Sequence, residues 1–208
     1  MGERKEAHMK KLSICAVVLL IGLLMTGCAG MQQKTHSHDS LVAGDIFVEA
    51  TGDAVPAGFG QLVIQTTIKT HPEGFYPMES ASSHHGTDHY PFAVTVGTQS
   101  ATWSVKGVQA DSPKYAPDGS TSKDPEAGPG MRYTFDKRLR LKPGTYDVRL
   151  DLHDDNVTST AKVTIQDGKS VVIEFKPVYR NKDFPVRMPS YRKGINSLEV
   201  YIDGKQQS

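Results

Sequence analysis

The sequence predicts an all-β fold, a single antiparallel β-sandwich with long loops. Three observations carry that expectation. From position 46 onward apolar residues recur with period two, the signature of strands that bury one face. Gly, Pro, Asp and Asn cluster between those runs, where the chain must turn. No window after residue 45 carries a helical apolar stripe.

The expected strands follow in chain order. Ile46, Val48 and Ala50 share a face, as do Leu62, Ile64, Thr66 and Ile68. Phe92, Val94 and Val96 precede Ala101, Trp103 and Val105. Tyr133, Phe135, Leu139 and Leu141 come next, interrupted by Lys137. Tyr146, Val148, Leu150 and Leu152 form the cleanest set. Ala161, Val163 and Ile165 lead to Val171, Ile173 and Phe175, and Leu198, Val200 and Ile202 come last. That spacing predicts about eight or nine strands. Asp167-Gly168, between two alternating runs, is a strong hairpin signal. Lys142-Pro143-Gly144 reads as a turn, and so does His153-Asp154-Asp155-Asn156, where His153 as a general base oriented by the acids is the other reading. Residues 71–90 and 109–130 break the rhythm. Loops of that length are usually functional or disordered, so a binding surface is expected there.

Ahead of the sandwich lies a different kind of segment. Lys10 and Lys11 precede an apolar run over residues 12–25 that ends in Met25-Thr26-Gly27-Cys28. A basic flank, an apolar run too short to span a bilayer and a small-residue cleavage site read as a secretory signal over residues 1–27. With its cysteine after the cut, the segment resembles a bacterial lipoprotein signal. That resemblance implies lipidation of Cys28 and anchoring in the cell envelope by its acyl chains. Ala29 in place of aspartate implies the periplasmic face of the outer membrane. Translation starts at Met1 or at Met9. Residues 28–44 then form the lipidated cysteine and a polar tether, ~50 Å long when extended. His36 and His38 fall in this tether. Residues 45–208 are long enough for one domain with a core.

Composition narrows the function. The 24 basic and 23 acidic residues nearly cancel, which argues against a nucleic-acid partner. The two cysteines are Cys15 and Cys28, so residues 29–208 offer no thiol for a disulfide, a metal or catalysis. No nucleophile elbow or phosphate-binding loop is present.

The stretch Leu139-Arg140-Leu141-Lys142-Pro143-Gly144-Thr145-Tyr146-Asp147-Val148-Arg149-Leu150 resembles PEGA-type and carboxypeptidase-regulatory-like modules, which place Pro-Gly before a Tyr-x-Val strand. With Asp167-Gly168-Lys169 and Val171 to Phe175, the likeness covers about residues 92–176. It implies an Ig-like or prealbumin-like sandwich with an accessory or binding role, and no catalytic residue.

The sharpest chemical candidate is Ser83-His84-His85-Gly86-Thr87-Asp88-His89-Tyr90. His84, His85, Asp88 and His89 offer zinc or copper the imidazole and carboxylate donors those metals take. His85 and His89 converge only if the Gly86 turn folds back, and His71 or His153 can add a ligand from elsewhere. Asp118-Gly119-Ser120 and Asp124 hint at a calcium loop but lack the EF-hand's alternating carboxylates. Arg138, Arg140 and Lys142 are expected on a charged, solvent-facing strand surface, and Trp103 in the core. Tyr179, Phe184 and Tyr191 either form an exposed aromatic patch or pin their proline-broken segment to the sandwich. The expectation for the whole is a non-enzymatic, lipid-anchored binding or assembly module that contacts an envelope protein or glycan. The alternative is a periplasmic metal-binding lipoprotein.

Overall fold

The computed structural model describes residues 45–52, 54–182 and 188–207, all within one unit, His38–Ser208. The signal, Cys28, the tether histidines and Phe184 lie outside the described residues. The strands are β1 (Phe47–Glu49), β2 (Gly60–Thr70), β3 (His89–Val96), β4 (Gln99–Lys106), β5 (Val108–Ser112) and β6 (Gly128–Leu141). They continue as β7 (Gly144–Leu152), β8 (Val157–Ile165), β9 (Ser170–Tyr179), β10 (Ile195–Ile202) and β11 (Lys205–Gln206). Single 3₁₀ turns occupy His153–Asp155 and Tyr191–Lys193.

Two sheets form a sandwich. The larger runs β1-β6-β2-β9-β10-β11, with β5 taking the part of the β6 edge that β1 leaves open. The smaller runs β4-β3-β7-β8. Alternation places Leu62, Ile64 and Ile68 of β2 and Phe135, Leu139 and Leu141 of β6 in one core with Phe92, Val94, Val148 and Leu150 of the smaller sheet. Phe92 and Phe135 meet across the layers with ring centroids 5.0 Å apart. Burying an aromatic side chain of that size contributes roughly 2–3 kcal/mol. Lys137 interrupts the β6 pattern because it sits at the layer edge. There its ammonium bonds Glu49 and lies over the Trp103 ring, while the Trp103 Nε1 donates to Glu49 Oε2 at 2.9 Å. Trp103 is therefore packed against the core but only half-buried.

Four expectations change. The Asp167-Gly168 turn is not a hairpin, because β8 and β9 belong to different sheets. Its polar groups are spent on the segment before β2: Gly168 N donates to the Phe59 carbonyl and Gly58 N to Asp167 Oδ1, each at 2.8 Å. As a result β9 joins β2 in parallel, from Gln61↔Ser170 to Thr66↔Phe175, so the sandwich is not purely antiparallel. Eleven strands are described rather than eight or nine, and β5 with an extended β6 shortens the second long loop to residues 113–127. Arg140 is buried, not solvent-facing, with Nη2 donating to the Ala54 carbonyl at 3.1 Å.

A candidate metal centre at one end of the sandwich

The site begins where β2 stops. His71 follows Thr70, the last residue of β2, and is 2% exposed. Residues 72–83 then fold as consecutive turns, with Phe75 N donating to the Pro72 carbonyl, Glu79 N to Tyr76 and Ser83 N to Ser80. That path carries Glu79 back over His71. Gly86 returns the chain toward β3. Its amide donates to Thr70 Oγ1 at 2.9 Å and its φ is +77°. A Cβ there would lie 2.0 Å from Glu73 N, so only glycine lets the two arms of the loop close on each other. Tyr133 of β6 fastens the turn by donating its hydroxyl to the Thr87 carbonyl at 2.5 Å.

Three ligand atoms converge as a result. His71 Nε2 lies 3.4 Å from Glu79 Oε1, and His85 Nδ1 lies 3.5 Å from the same oxygen. All three donor atoms fall within 4.8 Å of one another. A tetrahedral ion with bonds of about 2.0–2.1 Å sets its ligand atoms about 3.4 Å apart, so two of the three spacings already suit zinc. The tautomers fit as well. His71 Nδ1 sits 3.0 Å from the Pro72 carbonyl, which only accepts, so Nδ1 carries the hydrogen and Nε2 offers a lone pair. His85 Nε2 sits 3.2 Å from Asp155 Oδ2, so it donates there and Nδ1 offers the lone pair. Each ring is thus held by its far nitrogen, as metal-bound imidazoles are.

Asp155 comes from the 3₁₀ turn between β7 and β8. Its side chain is 2% exposed, and its Oδ1 accepts from Ile195 N at 2.7 Å. Gly194 packs beside it, where a Cβ would come within 2.5 Å of Oδ1. Burial pulls the His85 pKa down. The hydrogen bond that His85 donates to Asp155 and the charges of Asp155, Asp154 and Glu79 outweigh that and raise it above the ordinary histidine value. A metal ion would replace that proton against the same carboxylates. Tyr90 stacks on His85 with ring centroids 6.2 Å apart and forms the apolar backing of the site. The cluster opens into a cleft of ≈ 380 Å³ that Arg180, Arg192 and Lys193 also line.

Of the four residues singled out in the His-rich stretch, His85 alone joins this cluster. His84 points elsewhere, 46% exposed, with Nδ1 3.1 Å from Asp154 Oδ2. Asp88 and His89 are exposed, and His89 opens β3 opposite Lys106. His153 is exposed as well. The partner from elsewhere is His71. Glu79 was not visible in the sequence, because no spacing links it to either histidine. Asp118 and Asp124 fold onto local backbone, Asp118 Oδ1 accepting from Ser120 N and Asp124 Oδ1 from Glu126 N. Tyr179 and Tyr191 are buried and pin their segment. No family model, characterised protein or solved structure matches the chain.

Proposed function

We propose that the chain is a lipid-anchored envelope protein whose sandwich binds a transition-metal ion, zinc foremost, through His71 Nε2, Glu79 Oε1 and His85 Nδ1. One observation carries this reading: Glu79 Oε1 lies 3.4 and 3.5 Å from the two imidazole nitrogens, the spacing of a tetrahedral site, while the distal nitrogen of each imidazole is already held. Two imidazoles and a carboxylate are ordinary zinc ligands, and three protein ligands leave a position open toward the cleft. Copper(II) accepts the same donors and is the competing ion. The placement at the outer membrane rests on the lipoprotein signal at Cys28, and the polar tether gives the domain reach from the lipid surface. The likeness of residues 92–176 to carboxypeptidase-regulatory-like modules supports an Ig-like or prealbumin-like sandwich that binds rather than catalyses. An envelope protein or glycan remains the proposed partner of the long loops.

Calorimetric titration of the full chain with zinc and with copper tests the reading. The expected result is 1:1 binding at micromolar affinity or tighter, at least 100-fold weaker in His71→Ala and in His85→Ala and unchanged in His89→Ala. Equal affinity in wild type and the two ligand variants refutes it.

A further inference from the structure

The cleft also carries cations: Arg180, Arg192 and Lys193 line it together with Glu79, Asp154 and Asp155. Arg192 is fixed from several directions. Its Nε donates to the Tyr191 hydroxyl at 3.1 Å, and its guanidinium lies 5.4 Å from the Phe75 ring centroid and 5.7 Å from that of Tyr191. Its carbonyl accepts from the Tyr76 hydroxyl at 3.0 Å, which ties it to the loop that supplies Glu79. Arg180 is anchored by one bond, Nη2 to the Asp155 carbonyl at 3.0 Å. Among the described residues no acceptor takes the Arg192 Nη protons or the Arg180 Nε and Nη1 protons.

Two guanidiniums held in advance, with donors to spare, suit a planar or tetrahedral oxyanion far better than a neutral group. The charge balance agrees. With a divalent ion bound, its two charges join the guanidiniums of Arg180 and Arg192, while Asp154 and Asp155 are already committed to His84 and His85. A cleft of ≈ 380 Å³ that both the cluster and the guanidiniums line holds a small molecule.

We infer that the metal is half of a composite site for a small oxyanion, a carboxylate or a phosphate. One oxygen takes the open coordination position, and the remaining oxygens accept hydrogen bonds from Arg192 and Arg180. This inference rests on the metal reading above.

The test uses the full chain loaded with cobalt(II), whose visible bands report ligands entering the coordination sphere. Malonate and inorganic phosphate are titrated separately, with chloride as control. Either oxyanion should shift the bands with saturation below millimolar concentration, and the tighter of the two identifies the source. Arg192→Gln should weaken that binding at least tenfold while cobalt affinity stays within twofold. Arg192→Lys, which keeps the charge but loses the fork and the stacking, should weaken it as well. Cobalt binding with no band shift from either oxyanion, or shifts equal in wild type and both Arg192 variants, overturns the composite site and leaves the metal reading standing. Failure to bind cobalt or zinc overturns both.

Discussion

His85 Nε2 sits 3.2 Å from Asp155 Oδ2, and the other oxygen of that carboxylate accepts from Ile195 N at 2.7 Å. One buried acid therefore fixes both the orientation of a candidate metal ligand and the start of β10. Asp155→Asn should fold, since a carboxamide oxygen still accepts from Ile195 N, but it no longer holds His85 with a full charge. Zinc affinity should fall about 10–100-fold, the usual cost of losing such a supporting carboxylate. Asp155→Ala should in addition cost about 1–3 kcal/mol of stability by stranding the Ile195 amide. Paired zinc titration and urea unfolding separate the two effects.

Gly86 is a position where backbone conformation and space both forbid a side chain. Gly86→Ala should push the two arms of the loop apart, cost more than about 2 kcal/mol and weaken zinc binding at least 100-fold. Binding within threefold of wild type would show that the loop closes without this contact.

Lys69 is 1% exposed, yet its ammonium is well served. Nζ donates to the Glu126 carbonyl at 2.7 Å and the Gly128 carbonyl at 2.6 Å, and it lies 4.7 Å from the Tyr191 ring centroid. Lys69→Met keeps the stem and strands those carbonyls, which should cost about 2–4 kcal/mol. The 113–127 loop should become the first site of limited proteolysis. A cleavage pattern identical to wild type counts against the pin.

Alkaline pH should unfold the domain through two buried phenols. Burial, followed by the charges of Asp155 and Asp154 at Tyr90 and of Glu126 at Tyr179, raises both pKa values far above the ordinary 10.0. Above pH 10 the unfolded chain loses these protons and the folded chain keeps them, so stability is intact below pH 10 and declines as pH rises. Each group contributes a slope of about 1.4 kcal/mol per pH unit. Phenolate absorbance and circular dichroism, followed together, should change together for these two residues. Two phenols ionising near pH 10 in a folded domain would contradict the burial argument.

Cys28→Ser should move the protein from the detergent phase to the aqueous phase in phase partitioning. Retention in the detergent phase would remove the lipid anchor from the proposal.

The alternation of Leu62-Ile64-Ile68 and of Val148-Leu150-Leu152 was legible because the apolar side chains of each strand share one core-facing side, even though Gln61, Val63 and Lys69 on the other side of β2 are buried as well. β5 was not: Val108 is 68% exposed on an edge strand, so no burial pattern marks it. The Asp167-Gly168 signal identified a turn but not which sheet the next strand would join, a choice made by hydrogen bonds to residues 58–61. At the candidate site, the run of histidines pointed to the loop that carries His85. Glu79 was hidden because convergence depends on three successive turns and a close backbone approach at Gly86, none of which has a sequence period.

The parallel pairing of β2 with β9 also sets an order of events. Gln61 meets Ser170 and Thr66 meets Phe175, so one edge of β2 stays open until the chain has been made well past residue 170. Such distant pairing slows folding, because the intervening loop must close before the contacts reward it. The larger sheet therefore closes late, only once residues 170–175 stand beside β2. His71 leaves the end of that same strand, so the candidate His71–Glu79–His85 cluster is expected to form late in folding.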